Sequence, residues 1–157
     1  LDESVHTLKE KHRSKLYKEY IGFVFQAYHL IDELTVYENI ETPLLYKNIK
    51  SSERKALVAD MLDRFNIVGK KDLFPSQLSG GQQQLVGIAR ALIAKPKLIL
   101  ADEPTGNLDE DNSEKVSSAL YALCSELNTT LVVVTHSNEV AALAQRQCWL
   151  RHGKLED

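Results

Sequence analysis

The sequence has 157 residues, of which 43% are hydrophobic, and this is enough for one compact domain with an apolar core. Its formal net charge is -3 and charges of both signs are scattered along the chain, so nucleic acid and anionic lipid are disfavoured as partners. The longest apolar runs are too short to cross a bilayer, and the polar first residues do not resemble a signal peptide. We therefore expect a soluble protein that would need a partner for any role at a membrane.

The two cysteines indicate core packing. Cys124 lies in a helical pattern and Cys148 in a strand pattern, and both are expected to be small apolar core residues. Neither a disulfide framework nor a metal site is indicated, which is typical of a protein from the reducing cytosol.

The first predicted strand covers residues 21–25, where the apolar run Ile-Gly-Phe-Val-Phe ends at Gln26. Helices are then predicted to fill segment 27–95. Thr35 and Glu38 have the spacing of a capping box, and residues 51–65 form a second helical segment. Another helix is predicted after residue 79, because apolar residues recur there at i, i+3, i+4 and i+7.

Beyond residue 96 the pattern changes to strands alternating with helices. Residues 98–101 and 131–134 are apolar without alternation, and a helical pattern joins them. This predicts a βαβ crossover in a parallel sheet covered on both faces. Residues 148–155 are expected to close the chain as a small hairpin. The predicted fold class is therefore α/β, with helices inserted between sheet strands.

Two carboxylates follow the predicted strand at residues 98–101. Asp102 and Glu103 would lie at its C-terminal tip, where open parallel sheets bind ligands. Asp102 suits Mg²⁺ because this hard cation prefers carboxylate oxygen, and Glu103 suits the polarisation of an attacking water. The alternative is that Asp-Glu-Pro is a solvated turn after a strand.

Residues 78–82, Leu-Ser-Gly-Gly-Gln, place two glycines at a helix start. Glycine lets the backbone approach a ligand, and the free N–H groups of a helix N-terminus favour an anion such as phosphate. The alternative is a simple helix start, because Ser79 and Gln82 have capping-box spacing. A cap does not need Gly80 and Gly81, each of which costs about 1 kcal/mol of helix propensity.

Gln26 and His136 occupy corresponding positions, each directly after a predicted buried strand. Side chains at the tips of parallel strands converge on one edge of the sheet, which favours a shared ligand. Taken singly, His136 could instead be a capped or core histidine, and Gln26 a hydrogen-bonded loop residue.

Five segments occur in the order of the motifs of ABC transporter ATPases, and from about residue 20 to its C-terminus the sequence resembles that family. They are Gln26, 78–82, 98–104, 107–109 and 135–136, which resemble the Q-loop, signature, Walker B, D-loop and H-loop respectively. Residues 78–84 and 105–109 are most similar to subunits of the lipoprotein-release and macrolide-export branch.

The resemblance implies a P-loop NTPase-like α/β fold, present as a partial ABC ATPase domain over residues 1–157. Residues 27–95 would form the helical signature subdomain, and residues 20–26 and 96–157 the remaining part of the core. In this family two subunits face each other head to tail. Each ATP is held by the P-loop of one subunit and the signature of the other.

The resemblance also implies roles for single residues, with ATP and Mg²⁺ as cofactors. Glu103 and His136 would be catalytic, while Asp102 and Gln26 would hold the metal. The nucleotide would contact Gln26 and, from the opposite subunit, Ser79, Gly80, Gly81 and Gln82, and Leu108 and Asp109 would lie at the dimer interface.

The phosphate-binding motif of the family is missing from these 157 residues. No Gly-x-x-x-x-Gly-Lys-Ser/Thr occurs, since Gly69 and Gly153, although each precedes a lysine, lack the other elements. In the family this loop lies upstream, so we expect a fragment that does not hydrolyse ATP efficiently alone. Without the P-loop strand, residues 131–134 would form an exposed apolar edge, which favours self-association.

Three smaller departures leave every inferred catalytic group in place. Leu85 stands where the family usually has Arg, Gly87 where it has Ala, and Ser137 where Asp is common.

The function that the resemblance implies is ATP hydrolysis that energises an ABC exporter or a lipoprotein-release system. The partners would be membrane permease subunits, docked on residues 28–46, and a second ATPase subunit, without nucleic acid. The protein would be cytoplasmic and peripheral at the inner face of the membrane. The alternatives are a soluble ABC-type ATPase of DNA repair or translation, and a non-catalytic interaction module.

Overall fold

The structure is a computed structural model that describes residues 8–156 of the chain. The helices are α1 (Glu10–Tyr20), α2 (Val36–Leu45), α3 (Ser51–Arg64), α4 (Gly80–Leu92), α5 (Glu110–Glu126) and α6 (Asn138–Ala142). The strands are β1 (Ile21–Phe25), β2 (Leu98–Asp102), β3 (Thr130–Val134), β4 (Trp149–Arg151) and β5 (Lys154–Glu156). Over residues 8–156, no helix combines the length and the apolar character that a membrane span requires.

The first three strands form a parallel sheet in the order β1-β2-β3. The last residues of these strands, Phe25, Asp102 and Val134, lie side by side in the register. Loops that leave the three strands therefore start from one edge of the sheet. This arrangement, with α5 crossing from β2 to β3, confirms the predicted α/β class, and the antiparallel pair β4–β5 confirms the predicted hairpin.

The core lies between the helices and one face of the sheet. On α4, Ile88, Ala89 and Leu92 are fully buried, as their periodicity predicts, and they join Ile40 and Leu44 of α2 in the main hydrophobic cluster. Three helices thus occupy most of the chain between β1 and β2. The division into a signature subdomain and a remaining core stays a prediction.

The other face of the sheet is largely exposed in the part of the chain that the structure describes. Phe23 of β1 and Val132 and Val134 of β3 keep 41%, 47% and 59% of their surface exposed. Phe23 and Val132 flank Leu100 of β2, so the exposed residues form rows across the sheet. The expectation that both faces are covered is therefore wrong for residues 8–156, because α4 and α5 pack on the opposite face.

The two cysteines differ in environment. Cys124 on α5 is buried, as predicted, and burial raises the pKa of its thiol to about 11. Cys148 is exposed, so the prediction of a core position for it is wrong. The reason is that it precedes β4, and the residues of the β4–β5 hairpin are all exposed.

Candidate active site

Glu103 and His136 meet at the edge of the sheet where the strands end. The backbone N–H of His136 donates to Glu103 Oε1 at 2.9 Å, and His136 Nδ1 lies 2.7 Å from the same oxygen. Thr135 Oγ1 donates to the other carboxylate oxygen at 3.2 Å. The glutamate side chain is mostly buried, whereas 82% of the histidine side chain is exposed. The carboxylate is therefore held by the two residues that follow β3, and the imidazole extends into solvent.

The backbone at Glu103 adopts a left-handed conformation, with φ of 45°. A residue other than glycine pays for this conformation, and such residues cluster at functional sites. The N–H of Glu103 donates to Val134 O at 2.9 Å, which anchors the turn to β3. An open cleft of about 350 Å³ lies beside it, and its lining includes Glu103, Gly106, Leu108 and His136.

Gln26, at the tip of β1, is hydrogen-bonded to Asn107 in both directions. Gln26 Nε2 donates to Asn107 Oδ1 at 2.9 Å, and Asn107 Nδ2 donates to Gln26 O at 3.1 Å. Gly106 lies directly under this pair, since a Cβ there would come within 2.8 Å of Gln26 Nε2. We call these two bonds the amide pair. It joins the loop after β1 to the loop between β2 and α5.

A metal ion has two oxygen ligands available at neighbouring strand tips. Asp102 is exposed at the end of β2, and Gln26 follows the residue beside it on β1. No cluster of three or more His, Cys, Asp or Glu suited to a metal occurs among residues 8–156. The set fits Mg²⁺, which commonly uses one or two protein oxygens and takes its other ligands from water and phosphate.

The start of α4 is built as the capping alternative predicts. The N–H of Gln82 donates to Ser79 Oγ at 3.3 Å, and the N–H of Ser79 donates to Gln82 Oε1 at 3.1 Å. The two glycines also pack closely: a Cβ at Gly80 would lie 2.7 Å from Tyr28 Oη, and one at Gly81 would lie 3.1 Å from the Asn112 side chain. Packing thus explains part of the glycine requirement. Nucleotide contact by these residues stays a prediction.

The two residues predicted for a dimer interface lie beside the start of α4. A Cβ on Gly80 would touch Leu108 Cδ2 at 3.4 Å. Asp109 caps α5, where Asn112 donates to it from its side chain at 2.7 Å and from its backbone at 3.0 Å. These bonds lower the pKa of Asp109, with the side-chain bond the larger cause. An interface role for Leu108 and Asp109 stays a prediction.

The sequence reasoning missed the amide pair and also missed Gln84. Gln84 on α4 is fully buried, and its Nε2 donates to Phe25 O at 3.1 Å and to Pro104 O. A signal for it existed, because Gln84 lies four residues before Ile88 and is therefore a polar residue on the apolar face of the helix.

A family model described as "ABC transporter" matches residues 2–106. The ABC transporter ATP-binding protein YtrE of Bacillus subtilis is 46% identical over 147 residues, which cover 94% of this chain and 64% of the relative. The lipoprotein-releasing system ATP-binding protein LolD of Colwellia psychrerythraea is 42% identical over 151 residues, 96% of this chain and 58% of the relative. The chain thus spans less than two thirds of the length of either protein.

A solved structure gives the corresponding result for the fold. The structure titled as a dimeric post-hydrolysis state of the ATP-binding cassette MJ0796 bound to ADP and Pi superposes with a TM-score of 0.82 at 40% identity. The match covers 96% of this chain and 67% of that one. This likeness confirms the predicted ABC ATPase type of α/β fold.

Proposed function

Because this chain belongs to the ABC transporter ATP-binding family, we propose that it forms part of an ATPase subunit that energises an export or lipoprotein-release transporter. The observation that carries the proposal is the contact of Glu103 with His136 at the strand tips, next to Asp102. It puts a base, a polar imidazole and a metal-binding carboxylate on one edge of the sheet. This combination suits ATP hydrolysis, which needs a positioned water and stabilisation of the charge on the phosphates.

Glu103 is the proposed base. Its oxygens accept hydrogen bonds from Thr135 and His136, which fix the carboxylate while leaving it the acceptor that an attacking water needs. Because an ionised carboxylate only accepts, His136 Nδ1 carries the proton in their contact. His136 would then act on the nucleotide from beside the base, in the cleft that both residues line.

Mg²⁺ is the proposed metal, with Asp102 and Gln26 as its protein ligands. The cleft beside Glu103 is also lined by Glu110 and Glu139, so a triphosphate needs a cation to enter it. When bound, Mg²⁺ supplies charge neutralisation to the phosphates.

Hydrolysis is proposed to occur in a head-to-tail dimer. Ser79, Gly80, Gly81 and Gln82 would contact the nucleotide of the opposite subunit, with Leu108 and Asp109 at the interface. The exposure of Ser79, the N-cap of α4, supports this assignment, since a helix N-terminus favours an anion. The two MJ0796 structures, both described as dimeric, also support it.

The further proposed partners are membrane permease subunits, bound on residues 28–46. The protein would then lie in the cytoplasm, at the inner face of the membrane. The relatives named for lipoprotein release and macrolide export favour transport over DNA repair or translation.

The test uses the full-length polypeptide that carries this sequence together with a phosphate-binding loop. Wild type should hydrolyse ATP in the presence of Mg²⁺, and Glu103→Gln should lower kcat by about 10²- to 10⁴-fold, because the general base is lost. Nucleotide affinity, measured by equilibrium binding, should be retained. Glu53→Gln, an exposed change on α3, is the control. Normal turnover in Glu103→Gln, or an inactive wild type, contradicts the proposal.

A further inference from the structure

Gln84 connects three segments of the candidate site from inside the protein. It is fully buried on α4, and its amide donates to Phe25 O and Pro104 O. Phe25 directly precedes Gln26, and Pro104 directly follows Glu103. One side chain therefore holds the loops of the proposed metal ligand and the proposed base together.

The position of Gln84 on α4 extends this connection to the helix start. Gln84 lies four residues after Gly80 and three after Gly81, so the three residues share one side of the first turns. A displacement of the start of α4 therefore moves the Gln84 amide, and with it the two carbonyl groups to which it is bound.

The buried amide of Gln84 reduces the stability of the core. Its Oε1 is buried and has no hydrogen-bond partner among residues 8–156. A buried acceptor without a partner reduces stability, whereas an apolar residue of similar shape would avoid that loss. An unfavourable buried polar group of this kind is expected where function requires it.

We propose that Gln84 is a positioning residue that sets Gln26 and Glu103 relative to the start of α4. This rests on the proposed ATPase function and adds a coupling between the two nucleotide sites of the dimer. A phosphate bound at Ser79–Gly81 of one subunit would, through Gln84, place that same subunit's Gln26 and Glu103 for the reaction on its own nucleotide.

The test measures steady-state ATP hydrolysis by the full-length polypeptide carrying Gln84→Met, which keeps the length of the side chain and removes both donors. We expect kcat to fall about 10- to 100-fold, because the catalytic groups are displaced, with little change in KM. Gln83→Met is the matched control, because the Gln83 amide donates to Leu78 O instead of to the strand tips. It should stay within about twofold of wild type.

A double-mutant cycle separates positioning from general damage. If Gln84 acts through Gln26, Gln84→Met with Gln26→Ala should reduce kcat much less than the product of the two single effects. The inference is overturned if the two substitutions act independently on kcat or if Gln84→Met changes only KM. It is also overturned if Gln84→Met and Gln83→Met lower kcat equally. An inactive wild type would instead refute the proposed function itself.

Gln84→Glu provides a second variant in case the methionine protein does not fold. A buried carboxyl group is protonated at low pH and can then donate one hydrogen bond, but its ionised form cannot donate. Turnover relative to wild type should therefore decrease as the pH rises from about 6 to about 9. A constant ratio over this range argues that no donor is required and overturns the inference.

Discussion

At the scale of single residues, the site depends on contacts that hold the backbone of Glu103 in an unfavourable conformation. Glu103 keeps a left-handed backbone because the end of β3 provides an acceptor for its N–H, and the two residues after β3 provide donors for its carboxylate. Thr135 contributes twice, since its hydroxyl donates to Glu103 and accepts from the N–H of Ser137 at 3.1 Å. Thr135 therefore supports the contact of Glu103 with His136, although sequence reasoning gave it no role of its own.

The two cysteines give a prediction at this scale. Cys124 is buried with a pKa near 11, while Cys148 is exposed, and alkylation requires the thiolate. Iodoacetamide at pH 8 should therefore modify Cys148 and leave Cys124 unmodified in the folded protein. Peptide mass spectrometry measures both sites in one sample.

Denaturant provides the control for this measurement, because both cysteines should then react. Since the thiolate of Cys124 forms only near pH 11, its modification should also increase as the pH is raised toward that value. Equal modification of the two residues in the folded protein at pH 8 would contradict the burial of Cys124.

The strand-tip argument predicted that polar residues would converge on one edge, and the contact of Glu103 with His136 follows from parallel strand ends. The partners of Gln84 could not be predicted, because they are backbone carbonyls in loops that are distant in sequence. Likewise, the bond from the Gln26 amide to Asn107 could not be predicted, and contact of Gln26 with a ligand stays a prediction. Single-residue patterns do not show which of several polar partners a side chain selects.

At the scale of elements, α4 connects the helices to the sheet, and two glycines show how closely it packs. In β1, a Cβ on Gly22 would lie 2.8 Å from the backbone oxygen of Ala91. On α4 itself, a Cβ on Gly87 would lie 3.4 Å from its nearest neighbour, Tyr28 O, which is an ordinary contact.

Replacement by alanine should therefore change the free energy of unfolding in opposite directions at these two glycines. Gly22→Ala forces β1 away from α4 and should reduce the free energy of unfolding by about 1–3 kcal/mol. Gly87→Ala removes the backbone entropy cost of a mid-helix glycine and should increase it by about 0.5–1 kcal/mol. Chemical denaturation of the two variants beside wild type measures both values. A stabilised Gly22→Ala protein would show that α4 and β1 are farther apart than described.

The helix start offers a second prediction, which separates capping from nucleotide contact. Ser79→Ala should lose the cap and reduce the free energy of unfolding by about 1 kcal/mol. Ser79→Asp should keep the cap, because aspartate is a good N-cap residue, but its charge would repel a phosphate. ATP turnover of the full-length protein should therefore fall in Ser79→Asp without loss of stability. If Ser79→Asp is both stable and fully active, Ser79 is only a cap.

Most elements could be predicted because their signals are local. The Thr35–Glu38 capping box and the helix at residues 51–65 are present, with the latter observed as Ser51–Arg64. Helix α1 was not predicted, and the reason is physical: it has no buried residue, so no apolar stripe marks it.

At the scale of the whole molecule, the exposed edge strand β3 determines whether the chain self-associates in solution. Over residues 8–156, β3 is paired only with β2, and Val132 and Val134 are exposed. An exposed apolar edge strand is a template for pairing with another chain.

A polypeptide of these 157 residues should therefore self-associate as its concentration rises. Light scattering coupled to size-exclusion chromatography measures this directly. Val134→Lys should shift the population toward monomer, because charge on an edge strand opposes pairing. Val68→Lys, at a residue 49% exposed and outside the sheet, should not. A monomer at every concentration would rule out association through the β3 edge.

The amide pair is also a part of the site that a spontaneous chemical change would alter. Spontaneous deamidation would turn Asn107 into aspartate and replace the NH₂ that donates to Gln26 O with an oxygen that cannot donate. The loop after β1 would then face a negative charge where it now has a donor. Chemical ageing at one asparagine would thus break one of the two bonds of the amide pair in a protein whose gene is unchanged.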